Sequence, residues 1–222
     1  MQSSILNRCR NTLLHILFYT GTGVAVMICG CNSAPQTDDN FFNGISLKGW
    51  SATDTSYWSV KDNAITGQSS HEVSKNEFLW SDVEVSDFYL SVDVKLEPNS
   101  GNAGIQFRSA KADESGQAVG YQADVGKGVW GRLYHEHDRT YLDWPDAGEA
   151  AVHPGEWNHY EILASGDRIW TAINGVLSVA VEDLFGEKKG KIAVQIHSGP
   201  PMTVQYRFNK LVHHPKIELA GL

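Results

Sequence analysis

The segment from Phe88 to Leu96 alternates without a break. Phe88, Leu90, Val92, Val94 and Leu96 share one parity, and Tyr89, Ser91, Asp93 and Lys95 share the other. Successive side chains of an extended strand point to opposite faces, so this pattern covers a core on one side only. The same period recurs in Ile105–Ser109, Tyr121–Val125 and Val129–Tyr134, and further strands are expected at Tyr57–Val60, Glu77–Trp80, Trp157–Ala164, Arg168–Ile173, Val176–Val181, Lys191–His197 and Thr203–Val212. Turn chemistry separates several of them: Lys61-Asp62-Asn63 before a return at Ala64–Thr66, Ser165-Gly166-Asp167, and the hairpin pair Asn174-Gly175. No segment carries a sustained helical period; Val181–Phe185 is expected to form at most one helical turn. About a dozen short strands at this spacing predict an all-β, two-sheet antiparallel β-sandwich.

The first 30 residues read differently. Arg8 and Arg10 are their only charged side chains, and a mostly apolar run follows from Leu13 to Cys29. That run is short and interrupted for a membrane span, and suits an export signal. Ile28-Cys29-Gly30-Cys31 resembles a bacterial lipobox, which implies cleavage after Gly30 and a lipid on Cys31. All three cysteines fall in this region, leaving none for a disulfide in the folded part. The expected organisation is a signal peptide over 1–30, a lipidated tether over 31–39, one domain over 40–214 and a tail over 215–222. The expected location is the cell envelope, at the outer membrane or facing the periplasm, with Asn32 after the cysteine favouring outer-membrane sorting. His213 and His214 are expected in a solvated tail.

Formal net charge is −8, and the segment after the signal is more acidic still. With no basic cluster, nucleic acid is excluded as the expected partner. The polar parity of the middle strands is more informative. Gln106 and Arg108 oppose Ile105 and Phe107; Gln122 and Asp124 oppose Tyr121, Ala123 and Val125; Gln195 and His197 oppose Val194 and Ile196. Amides, a guanidinium, a carboxylate and an imidazole fix hydroxyls and carbonyls better than an ordinary solvated face does. Trp130, Arg132 and Tyr134 share a further parity. Trp80, Trp130 and Tyr134 offer flat surfaces for a sugar ring, although core packing is the competing role for one of the last two. Together these residues predict a concave carbohydrate-binding face.

An ordered set of short signatures spans the domain: Phe42-Asn43-Gly44 with Gly49-Trp50, Trp58-Ser59-Val60, Ile65-Thr66-Gly67, Gly101-Asn102-Ala103-Gly104-Ile105 with Arg108, Gly120-Tyr121-Gln122, Gly155-Glu156-Trp157-Asn158, Gly190-Lys191-Ile192-Ala193 with Gln195 and His197, and Phe208-Asn209. In this order the chain resembles the 3-keto-disaccharide hydrolase domain family, over about residues 40–214. The resemblance implies a concanavalin A-like jelly roll. It also implies cleavage of glycosides oxidised at C3, where the ketone acidifies the C2 proton and allows elimination of the C1 substituent before water adds. A companion sugar 3-dehydrogenase is implied as the source of the ketone. Such chemistry needs a base near C2, an acid near the leaving oxygen and a donor at the ketone oxygen.

On this reading Asp124 is the leading base, with a structural partnership to Arg108 as its alternative. His197 serves as acid or base, or as a plain sheet histidine. Arg108 is placed at the oxyanion or at a hydroxyl pair, against a simple salt bridge. Gln122, Gln195 and Gln106 position hydroxyls, with Tyr134, Trp130 and Arg132 beside the sugar and Glu77 at the rim. No cofactor is assigned. His135 and His137 share a parity, which leaves a divalent metal open without an evident third ligand. The Glu-x-Asp-x-x-Glu motif of glucanases with this fold fails at Glu136-His137-Asp138-Arg139-Thr140-Tyr141, because its last position is Tyr. A non-catalytic carbohydrate-binding lipoprotein is the second functional expectation, and a conventional glycoside hydrolase the third.

Overall fold

The computed structural model describes residues 34–38, 41–137 and 139–216. The expectations for the signal segment and for Cys31 lie outside the described residues. Fifteen strands and one short helix follow in order: β1 (Gln36–Thr37), β2 (Trp50–Ala52), β3 (Trp58–Lys61), β4 (Ala64–Ser69), β5 (Glu77–Val85), β6 (Phe88–Glu97), β7 (Asn102–Lys111), β8 (Ala118–Gly126), β9 (Leu133–Glu136), β10 (Thr140–Asp143), α1 (Ala147–Ala151), β11 (Asn158–Ser165), β12 (Arg168–Ile173), β13 (Val176–Glu182), β14 (Gly190–Ile196) and β15 (Met202–His213).

They form two antiparallel sheets. One runs β13-β12-β11-β6-β15-β4-β3, with β1 also pairing β15; the other runs β10-β9-β8-β7-β14-β5-β2. The alternation read in the sequence sets which side chains meet between them. Phe88, Leu90, Val92 and Val94 of β6 are fully buried, as are Ile105 and Phe107 of β7, Tyr121 and Ala123 of β8, and Val194 and Ile196 of β14. The expected all-β sandwich is the observed fold.

Two hairpins show how local chemistry fixes register. Asn174 and Gly175 both take positive φ (49° and 79°), as do Asp62 and Asn63 (50° and 60°). Two consecutive left-handed residues make a turn whose twist matches the strands it joins.

The departures from expectation have local causes. Val129–Tyr134 is not one strand: residues 127–131 form turns, Gly131 has φ 80°, and β9 begins only at Leu133. Val181–Phe185 holds no helix, because β13 continues to Glu182. The one helix among the described residues, α1, lies in Ala147–Ala151, where Glu149 accepts from the Gly128 and Trp130 N–H groups at 2.9 and 3.3 Å. The expected tether already contains β1, and His213 is no tail residue, since it pairs with Gln36 at the end of β15.

Candidate functional site

The outward face of the seven-stranded sheet carries the site. Register places Tyr141, Tyr134, Gln122, Gln106, Ala193 and Trp80 in one row across β10, β9, β8, β7, β14 and β5. The next row on the same face holds Asp124, Gly104, Gln195 and Phe78. Gly104 leaves the floor bare. A Cβ there would lie 2.4 Å from Gln122 Cδ, so the missing side chain lets Gln122 lie flat beside Asp124.

A directed hydrogen-bond chain crosses this floor. Ser109 Oγ donates to Gln106 Oε1 (2.9 Å), Gln106 Nε2 to Gln122 Oε1 (2.6 Å), and Gln122 Nε2 to Asp124 Oδ1 (2.8 Å). Each amide has one oxygen and one NH2, so its orientation follows from its neighbour's. An acceptor at Asp124 therefore sets the whole chain pointing toward it.

Above the floor is a cleft of about 310 Å³, lined by Asn76, Asn102, Gln122, Asp124, Val129, Tyr134, Glu136, Tyr141, Trp144 and His197. Asp124 is only 5% exposed. Burial pushes its carboxyl up to about 8, with the nearby Glu136 charge adding to the rise and the Gln122 donor opposing it. Asp124 is therefore mostly protonated at neutral pH. Burial also raises Glu136, but Gln195 Nε2 donates to its Oε1 at 3.1 Å and favours its ionised form. His197 follows β14 directly and its Nδ1 lies 2.7 Å from the Ser198 carbonyl oxygen. A carbonyl only accepts, so Nδ1 carries the proton and Nε2 of the neutral ring is left as the acceptor.

Three aromatic rings wall the cleft. Tyr141 and Trp144 meet edge to face at 4.4 Å, and Tyr134 lies 5.6 Å from Tyr141 and 6.4 Å from Trp144. Arg132 backs the wall: its guanidinium carbon sits 4.8 Å from the Trp144 ring centroid, and Nη2 donates to Asp146 at 2.6 Å. Tyr141 is 69% exposed, an open apolar surface beside polar groups.

Of the residues expected in the site, Gln122, Asp124, Tyr134 and His197 line this cleft. Gln106 and Gln195 are fully buried beneath it, and act on it only through Gln122 and Glu136. Arg132 stands behind its wall.

Arg108 is elsewhere. A register shift between Phe107 and Ala110, with φ 47° at Arg108, breaks the strand alternation. Its guanidinium instead donates to Ser86 O (2.7 Å), Gly166 O (2.8 Å) and Asp87 Oδ1 (3.2 Å), pinning two turns at the far end of the sandwich. Trp130 sits in the turn before β9, fully buried, with its Nε1 on Asn99 Oδ1 at 3.0 Å. It is core, not platform. Trp80 is also buried, covered by the β7–β8 loop, whose Gly116 carbonyl accepts its Nε1 at 3.2 Å. Glu77 has the parity of Leu79, which faces the inter-sheet core, and its nearest cation is Lys75 at 3.9 Å.

The His135/His137 pair does not form. β9 ends at Glu136 and His137 takes φ 85°, while His135 packs against Tyr121 on the core side with Nε2 2.9 Å from Glu187. Among the described residues no cluster of three His, Cys, Asp or Glu side chains suits a metal ion.

Sequence reasoning missed Glu136, Tyr141 and Trp144. Glu136 had a usable signal, since it shares parity with Tyr134 in a strand starting at Leu133. Tyr141 and Trp144 lie where the sequence read as polar loop.

The sequence matches the 3-keto-alpha-glucoside-1,2-lyase-like domain over residues 38–211. The chain belongs to this family. Its family sets it among carbohydrate-related domains. Solved structures share the fold. A Parabacteroides distasonis protein described as a candidate glycosyl hydrolase superposes with TM-score 0.58 at 18% identity, covering 79% of this chain and 93% of that one. The carbohydrate binding module CBM66 of Bacillus subtilis gives TM-score 0.55 at 18% identity, covering 73% and 94%. The Crh5 transglycosylase gives TM-score 0.53 at 13% identity, covering 82% and 85%. No curated protein matches the chain significantly in sequence.

Proposed function

We propose that the cleft cleaves the glycosidic bond of 3-keto-glycosides by elimination and hydration. The observation that carries this reading is the meeting of two carboxyls in unlike surroundings, the buried Asp124 and the half-buried Glu136, in one aromatic-walled cleft. Unequal environments divide acid and base roles between like groups. Glu136, whose carboxylate form accepts from Gln195, removes the C2 proton of the keto sugar. The electron pair moves toward the C3 ketone, the C1–oxygen bond breaks, and protonated Asp124 supplies the proton that the leaving oxygen takes. Water then adds across the new C1–C2 double bond. This reverses the sequence expectation for Asp124, because burial makes it a proton donor at neutral pH. His197 Nε2 serves as acceptor for a sugar hydroxyl, and Trp144 and Tyr141 stack on the leaving group.

The protein is further proposed to act as a lipoprotein of the cell envelope, anchored through Cys31, on ketones supplied by a sugar 3-dehydrogenase. A second reading, glycan capture without turnover, is supported by the exposed aromatic wall and by the fold shared with a carbohydrate binding module. Incubation with 3-keto-trehalose and with trehalose separates them. Glucose released from the keto sugar alone is the expected result. Release from both points to conventional hydrolysis, and binding without release points to capture.

A further inference from the structure

The loop between β13 and β14 carries an unusual pair. Leu184 is 62% exposed and Phe185 is 91% exposed, adjacent in sequence at the tip of the loop. Single exposed apolar residues are ordinary, but a fully exposed Phe beside an exposed Leu is not what a solvated loop requires. The loop itself is held firmly. Asp183 receives both Arg139 Nη1 (2.6 Å) and Nη2 (2.9 Å), and the Asp183 N–H donates to Asp167 O at 2.7 Å. Lys188 pairs with Asp167 at 2.6 Å. The fold presents Leu184 and Phe185 on a braced support.

The same end of the sandwich receives the N-terminal segment. β1 pairs with the last residues of β15, and the His214 N–H donates to Asp87 O at 2.8 Å. Asp87 Oδ1 accepts from Gly166 N at 2.8 Å and from Arg108 at 3.2 Å. Arg108 in turn reaches Glu187 O, within the loop, at 3.5 Å. This continuous run of contacts joins the strand where the chain enters the domain to the loop bearing Phe185. The cleft lies at the other ends of the strands: β14 starts at Gly190, just after the loop, and ends at Ile196, just before cleft-lining His197.

We infer that Leu184 and Phe185 insert into the interfacial region of a lipid bilayer and hold the cleft pointing away from it. The inference rests on the proposed anchor at Cys31. Gln36 lies five positions after Cys31, and a fully extended chain over that interval spans at most about 18 Å. A domain tethered so closely must turn its entry end to the membrane, and that end carries the exposed pair. Lys188, Lys189 and Arg168 around the loop are each matched by an acid, Asp167, Glu84 and Glu182. The contact is therefore apolar rather than polybasic, and insensitive to the charge of the lipid.

The test uses the full chain, purified from the membrane and reconstituted in phosphatidylethanolamine vesicles with and without phosphatidylglycerol. Phe185→Cys and Lys127→Cys, the latter in the turn after β8 at the cleft end, each carry an environment-sensitive fluorophore. The expected result is a blue-shifted emission, quenched by doxyl-labelled lipid, at 185 and not at 127, and equal in both vesicle types. An aqueous spectrum at 185 in an anchored protein overturns the loop contact alone. A protein whose membrane fractionation is unchanged by Cys31→Ala overturns the anchor, and the orientation argument with it.

Discussion

Replacing Asp124 by Asn abolishes the proposed proton donor and should stabilise the fold in a pH-dependent way. The carboxyl has an ordinary value near 3.8 and is pushed up to about 8 by burial. Between these values the unfolded chain has released this proton and the folded chain still holds it, so stability falls as pH rises. The contribution is fully present below about pH 4 and is lost progressively up to about pH 8. At about 1.4 kcal/mol per unit, the loss by pH 7 is on the order of 4 kcal/mol. Asn presents an amide of nearly the same shape, keeps an oxygen for the Gln122 donor and does not titrate. Urea unfolding followed by tryptophan fluorescence at pH 4, 5, 6, 7 and 8 measures the difference. Asp124→Asn should match the parent near pH 4 and exceed it increasingly toward pH 8, while glucose release from 3-keto-trehalose is lost. A difference independent of pH, or one favouring the parent at pH 7, would refute the assignment of Asp124 as a buried neutral acid.

Other outcomes follow from the same geometry. Gly104→Ala places a Cβ 2.4 Å from Gln122 Cδ; it should displace Gln122, cost about 1–3 kcal/mol of stability and remove most turnover, as read by unfolding and by glucose release. Trp144→Ala should raise KM for keto-disaccharides and leave the pH dependence of kcat unchanged, because the ring touches no titrating group of the floor. Arg108→Ala leaves Ser86 O and Gly166 O without their donor and should cost roughly 2–4 kcal/mol in urea unfolding, with KM and kcat of the remaining folded protein unaltered. Glu136→Gln should eliminate turnover yet retain binding of a 3-keto-disaccharide, measured by calorimetry.

What the sequence alone makes legible depends on whether the determinant is local. Phe88–Leu96 announced its strand and its buried face because period two is a property of consecutive residues. Asn174-Gly175 announced its turn for the same reason. Asp124, Gln122 and His197 were found because alternation assigned them the face opposite to Val125, Tyr121 and Ile196. Arg108 defeated that logic. One bulge beside it reversed the parity, and nothing in Phe107-Arg108-Ser109 marks a bulge. Trp130 failed because the turn through Gly131 delayed the strand by several residues. Tyr141 and Trp144 belong to the wall through the pairing of β10 with β9, a contact made in space between segments whose own sequence reads as loop. The burial that raises both Asp124 and Glu136 comes from segments brought together over the sheet, which no single stretch of sequence encodes.

The central claim is cleavage through loss of the C2 proton, and isotope transfer reads it most directly. With 3-keto-trehalose carrying deuterium at C2 of the keto ring, the label should pass to solvent in step with glucose release, and Glu136→Gln should stop both. Retention of deuterium at C2 in the released keto sugar, or equal release from unoxidised trehalose, would contradict the account.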